Sequence, residues 1–135
     1  MTTAGYSGTP LTAKLGIQTG SRVLLDGAPA GFDLGPLPAG VTVQGRAGSA
    51  PYDVGVLFCP DRARLVRRWP VLHARVTPAG RVWVAWPKRA SGLGTDLDEN
   101  VVRNHGLAHG RVDVKVCAID PTWSGLAFVV RVKDR

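Results

Sequence analysis

The residues best suited to chemistry gather between positions 86 and 99, in the stretch WPKRASGLGTDLDE. Lys88, Arg89, Ser91 and Thr95 surround the pair Gly92 and Gly94, which leads from an apolar run into acidic residues that can start a helix. At such a junction, backbone N–H groups and the positive end of a helix dipole can cradle an anion. The ordered phosphate-loop pattern ending in Gly-Lys-Ser/Thr is missing. Asp96, Asp98 and Glu99 also supply the negative charge that a helix start favours. An anion site and a plain capped connection are both readings of this stretch, and the second is the simpler.

Other groups are weaker. Arg64, Arg67 and Arg68 fall at i, i+3 and i+4, a positive stripe that could meet nucleic acid electrostatically or lie as a solvated helix face. His105 and His109 have the i, i+4 spacing of a helical metal pair, but no third ligand has a recognisable position, so no metal is expected. Cys59 has no base beside it in the sequence, and no Ser-His-Asp or Cys-His arrangement can be assembled, so no catalytic residue is assigned. Trp86 and Trp123 could be stacking platforms, although a tryptophan more often belongs to the core.

The elements that must position these residues follow from periodicity. Residues 81–86 (RVWVAW) read as a strand, preceded by the turn Pro78-Ala79-Gly80 and ended by Pro87. Asp96 reads as a helix N-cap with Glu99 as its capping-box partner, opening a helix over 97–107 whose apolar face is Leu97, Val101 and Ala108. Gly106 and Gly110 supply its stop signals. Earlier, a short helix is predicted at 9–15, strands at 22–26, 41–44 and 53–59, and a helix at 60–69 with Ala63, Val66 and Trp69 toward the sheet. Pro70 should break or kink that helix before a further helical turn at 71–76. Strands at 112–119 and 126–133 close the chain, with 120–125 as a polar link.

Length and composition set bounds. The 135 residues suit one domain, assigned to 9–135, with residues 1–8 as a flexible tail. With 44% hydrophobic and 20% charged residues, the chain is globular in type, and it has no apolar run near the roughly 20 residues of a membrane helix. The N-terminal stretch lacks the pattern of a secretory signal, so a cytoplasmic location is expected, with Cys59 and Cys117 as unbridged apolar-run residues. The net charge of +7 speaks to association with anionic partners and not to fold. Strands alternating with helices through residue 110, then two successive strands, predict a three-layer α/β fold. It is Rossmann-like, with a mostly parallel sheet and antiparallel C-terminal edge strands.

That order resembles the class I methyltransferase fold. VLLDGAPAGF looks like its first strand and glycine loop, TPAGRVWVAW like its turn and fifth strand, and GLAFVV like its final strand. The resemblance implies S-adenosylmethionine (SAM) at the glycine loop and an acid at the end of the second strand to hold the ribose hydroxyls. Here Pro29 stands inside the loop, and Gln44 stands where the acid is implied. A second resemblance, carried by WVAWPKRASG, TDLDENVVR and KVCAIDPTWSGLAFVVR, is to a small bacterial, mostly actinobacterial family known as a domain of unknown function.

From Pro29 and Gln44 the sequence predicts a degenerate site without cofactor, serving a non-enzymatic binding or regulatory module. A small anionic ligand or a protein is its expected partner, held by Gly27, Ala28, Trp86, Lys88, Arg89, Ser91 and Thr95. A divergent small SAM-dependent methyltransferase is the first alternative. A non-specific nucleic-acid-associated protein using Arg64, Arg67 and Arg68 is the second.

Overall fold

The computed structural model describes residues 9–49 and 51–135; the tail assigned to 1–8 lies outside them. A short helix α1 (Leu11–Leu15) precedes strand β1 (Arg22–Asp26) and the brief edge strand β2 (Thr42–Gln44). Strand β3 (Tyr52–Phe58), helix α2 (Arg62–Arg75), strand β4 (Val76–Pro87) and helix α3 (Glu99–Ala108) follow. Strands β5 (Val112–Ala118) and β6 (Trp123–Val129) complete the chain.

The six strands form one sheet in the order β2-β1-β3-β4-β6-β5. β1 pairs in parallel with β2 and β3, and β3 in parallel with β4. β6 is antiparallel to both β4 and β5. The antiparallel hairpin expected at the edge is there, with β6 against β4 and β5 as the outermost strand, its middle residues exposed. β6 also begins three residues earlier than its apolar run suggests. Trp123 pairs with Pro87, Ser124 with Trp86, and Gly125 with Ala85. Asp120 Oδ1 accepts from the N–H groups of Thr122 and Trp123, each at 2.8 Å, and so closes the turn into the strand. A polar sequence was thus drawn into the sheet by pairing on both sides.

Both faces of the sheet are covered, which makes the fold three-layered. On one face Leu24, Leu57, Val82, Val84, Leu126 and Phe128 meet Leu65, Trp69 and Leu72 of α2 and Leu97 and Val102 at α3. On the other, Val23, Val56, Phe58, Trp83 and Ala127 meet Leu15 and Ile17 at α1 and Leu34, Ile119 and Trp123 from loops and β6. Each such fully buried large side chain contributes about 1.5–3 kcal/mol by leaving water.

The helices differ from expectation in register. α2 begins after Asp61, whose carboxylate accepts from Arg64 N at 3.0 Å. It buries Leu65, Trp69 and Leu72, while Ala63 and Val66 are exposed. The i, i+4, i+7 row carries more apolar volume than the row through 63 and 66, and the larger row won the sheet. Pro70 does not end the helix, which continues to Arg75. Pro70 and Val66 both lie on the exposed face, so the carbonyl that loses its N–H partner remains on the solvent side. α3 is capped by Asp98, which accepts from Val101 N at 2.8 Å, and not by Asp96. Gly106 is no stop signal. It lies inside α3 against the Phe128 ring, where a Cβ would collide with the aromatic carbons.

Candidate functional site

In an open α/β sheet the C-terminal ends of the parallel strands form the crevice. Here β1 ends there at Asp26, a buried carboxylate, and the chain then turns through Gly27 with φ 75°. Asp26 receives two guanidinium groups from α2. Arg64 Nη2 donates to Oδ1, while Arg68 donates to Oδ2 through Nη2 at 2.6 Å and Nε at 3.1 Å. Arg64 Nε also donates to the carbonyl of Phe58 at 2.9 Å, so one side chain joins the ends of β1 and β3. The Arg64 guanidinium lies directly against Gly27, where a Cβ would strike it. Only glycine allows both the left-handed turn and this approach. Charge-assisted bonds of this kind are short and strong, and they fix the orientation of both arginines.

The stripe read from Arg64, Arg67 and Arg68 is therefore not one free surface. Arg64 and Arg68 turn toward Asp26, and Arg67 alone of the three is exposed. Sequence reading missed Asp26. Its signal was available, an acid at the end of an apolar strand immediately before glycine, but its partners lie 38 and 42 residues away.

The second part of the crevice is a cavity of about 440 Å³ at the end of β4, lined by Trp86, Pro87, Arg89, Gly92, Leu93, Gly94, Thr95, Asp96, Leu97 and Asp98. It brings together Trp86, Arg89 and Thr95 from the predicted set. Lys88 and Ser91 are not in its wall. Ser91 Oγ donates to Lys88 O at 2.6 Å and accepts from Leu93 N, closing a short 3₁₀ turn at Arg89–Ser91. Lys88 N donates to Thr122 O at 2.8 Å and ties the loop to the start of β6. Gly27 and Ala28 are likewise outside the cavity wall. Trp86 and Trp123 are both buried. Asp96 connects the two parts, since its Oδ1 accepts from Arg62 N at 2.8 Å and so holds the loop to the start of α2.

Cys59, at the end of β3, is fully buried, and burial pushes its thiol up to about 12. It is a packing residue, not a nucleophile. The rings of His105 and His109 stack at 4.1 Å, with His109 Nδ1 2.7 Å from His105 O. Among the described residues no three His, Cys, Asp or Glu side chains are grouped to hold a metal ion. Among those residues, too, no helix is long and apolar enough to cross a membrane.

Solved structures share this fold. A candidate methyltransferase from Thermoplasma acidophilum matches with TM-score 0.55 and 10% identity over 86% of this chain and 70% of its own. DhpI in complex with SAH matches with TM-score 0.62 and 12% identity, over 90% and 81%. The ribosomal protein L11 methylase from Lactobacillus delbrueckii subsp. bulgaricus matches with TM-score 0.53 and 14% identity, over 82% and 70%. The fold is methyltransferase-like. No family model and no curated protein matches the chain.

These neighbours correct the reading drawn from Pro29 and Gln44. A non-enzymatic binding or regulatory module was expected, yet the similar structures are methyltransferases, and one of them is a complex with SAH. The comparison favours the alternative of a divergent SAM-dependent methyltransferase.

Proposed function

We propose that the chain is a divergent, small SAM-dependent methyltransferase. The observation that carries this reading is the charged cluster at the end of β1 on a methyltransferase-like sheet: Asp26 with Arg64 and Arg68, beside the Gly27 turn.

The donor set fits the amino-acid end of SAM. That end is a zwitterion: Asp26 Oδ1, which accepts a single bond, is left for its ammonium, and the Nη1 groups of Arg64 and Arg68, not spent on Asp26, are left for its carboxylate. The Gly27 turn, without a side chain, makes room for the Arg64 guanidinium, through which the turn would meet the ligand. Gln44 would meet the ribose as an amide in place of a carboxylate; its Oε1 already accepts from the Tyr52 hydroxyl. When bound, SAM supplies an electrophilic methyl group on a sulfonium. The residues of this chain bind, orient and exclude water around it. Arg64 and Arg68 neutralise and fix the acid. Trp86 and Leu97 form an apolar wall for an acceptor in the β4 cavity. Asp96 and Asp98 each give one oxygen to a backbone N–H, and the second oxygen of each can take the acceptor's proton.

Calorimetric titration with SAM and with SAH tests this reading. Micromolar dissociation constants are expected for wild type, weakened at least tenfold in Arg68→Gln. Absence of heat at millimolar concentrations of both would overturn the proposal.

A further inference from the structure

A second cavity, of about 410 Å³, opens at the opposite end of the sheet, beneath the N-terminal ends of the parallel strands. Its wall is formed by the 16–21 segment after α1, by Asp53 and Val54 of β3, and by Thr77 and 79–81 in the bulged start of β4. Its volume lies within the range of small-molecule sites. Its wall is mostly polar: Gln18, Thr19, Ser21 and Thr77 join two residues of opposite charge, Asp53 and Arg81.

These two charges do not pair. Among the described residues, the salt bridges are those of Asp26 with Arg64 and Arg68, and of Arg103 with Glu99 and Asp113. Asp53 uses one oxygen, Oδ2, to accept from Arg22 N at 2.8 Å, and its other oxygen is uncommitted. The Arg81 guanidinium rests flat against Gly16, with Nη1 about 3.1 Å from where a Cβ would stand. It is half-buried and carries no hydrogen bond to a protein group among the described residues. Arg81 is thus held by packing with its donors unused, in the same cavity wall as an acid whose second oxygen is also unused.

We propose that this cavity binds a small zwitterion, a free α-amino acid with a polar side chain. A carboxylate takes the planar fork of Arg81 in two parallel N–H···O bonds, the geometry for which guanidinium is suited. The ammonium meets the open oxygen of Asp53. Gln18, Thr19 and Thr77 face the polar side chain. A singly charged ligand engages only one of the two wall charges and leaves the other to solvent, and a phosphate dianion is repelled by Asp53. The site is separate from the crevice assigned to SAM, which lies at the other end of the strands, and it does not depend on that assignment.

The test uses the whole protein and L-glutamine as probe, read by amide chemical shifts. Shifts at Gly16, Gly20 and Gly80 that saturate at millimolar L-glutamine are expected. N-acetyl-L-glutamine lacks the ammonium and L-glutamine amide lacks the carboxylate, so each should bind at least tenfold more weakly. Asp53→Asn keeps an acceptor for Arg22 N, and Arg81→Gln keeps a polar chain; each should weaken binding at least tenfold while the melting curve shows a folded protein. The proposal is overturned by any of three results: no shifts at 20 mM probe, affinity for either analogue within threefold of glutamine, or shifts confined to Gly27 and Arg64. The analogue comparison needs no variant, so it holds even if a substitution unfolds the chain.

Discussion

Asp96 caps a helix that is not its own: its carboxylate reaches back 34 residues to accept from the backbone N–H of Arg62, in the first turn of α2. Asp61 accepts from Arg64 N in the same turn, so two orphan donors of one helix are satisfied from two loops. The bond also holds the β4 cavity loop against α2. Asp96→Ala should cost about 1 kcal/mol, as loss of a capping side chain does. That corresponds to a fall of roughly 4 °C in Tm for a chain of this size. Amide exchange should accelerate at Arg62, whereas Asp98→Ala should accelerate it at Val101. The assignment fails if Asp96→Ala speeds exchange at Val101 and leaves Arg62 protected.

Arg111 is a buried cation with no carboxylate partner among the described residues. Its guanidinium donates to the carbonyls of Val76 at 2.8 Å, Gly80 at 3.1 Å and His73 at 3.2 Å. Its Nε donates to His73 Nδ1 at 3.0 Å. Burial lowers its pKa to about 10, so it stays charged at neutral pH. The His73 and Val76 carbonyls lie at the C-terminal end of α2, whose negative dipole end compensates the cation, and Gly80 adds a carbonyl from β4. Arg111→Met strands several buried acceptors and should cost at least 3 kcal/mol, read by urea denaturation. A cost below 1 kcal/mol would show that the carbonyls find other donors.

His73 accepts from Arg111 only when neutral. Burial, then the Arg111 charge, lowers its pKa below the ordinary 6.5. The unfolded chain therefore binds the proton more readily than the folded one. The stabilisation is complete above pH 6.5, shrinks as the pH falls below 6.5, and is gone below the folded pKa. His105, shifted downward by burial, acts in the same direction. The difference in Tm between wild type and His73→Gln isolates the first effect and should narrow from pH 7 to pH 5. A constant difference across that range would remove His73 from the account.

Trp83 and Lys88 separate core from loop on a single strand-to-loop path. Trp83 is fully buried, and its indole N–H donates to Leu15 O at 3.0 Å, fastening α1 to the sheet. Trp83→Ala should cost about 3–5 kcal/mol. Lys88→Ala, which leaves the backbone bond to Thr122 intact, should stay within about 0.5 kcal/mol. Paired melting curves decide this, and a Lys88→Ala variant as unstable as Trp83→Ala would make the lysine structural.

The two free thiols should report folding. Cys59 is fully buried and Cys117 half-buried, and burial raises both pKa values, that of Cys59 to about 12. At pH 8 a thiol-specific reagent should leave Cys59 unmodified in the folded protein and label it after denaturation. Rapid labelling of Cys59 without unfolding would place it outside the core.

By itself, the sequence determined the α/β class, the strand positions near 22–26, 53–59 and 81–86, and the turn chemistry around Gly27 and Gly92. These depend on local period, β-branched content and punctuating glycines and prolines, all of which act within a few residues. It also marked Trp86, Arg89 and Thr95, because strand ends beside glycine loops are where such sheets open. What it could not carry were choices between competing long-range partners. The row Leu65, Trp69 and Leu72 displaced the row through Ala63 and Val66 because the sheet selects the larger apolar face. Asp96 left its own helix for Arg62, and Arg64 and Arg68 left solvent for Asp26. Ser124 and Gly125 entered a strand because β4 and β5 bracket them. In each case the local signal was nearly balanced between two states, and the decision came from a group 34 or more residues away or from the neighbouring strands. Only the folded chain brings those partners within reach, which is why the charged cluster at β1 and the two unpaired charges of the second cavity became visible in the tertiary structure alone.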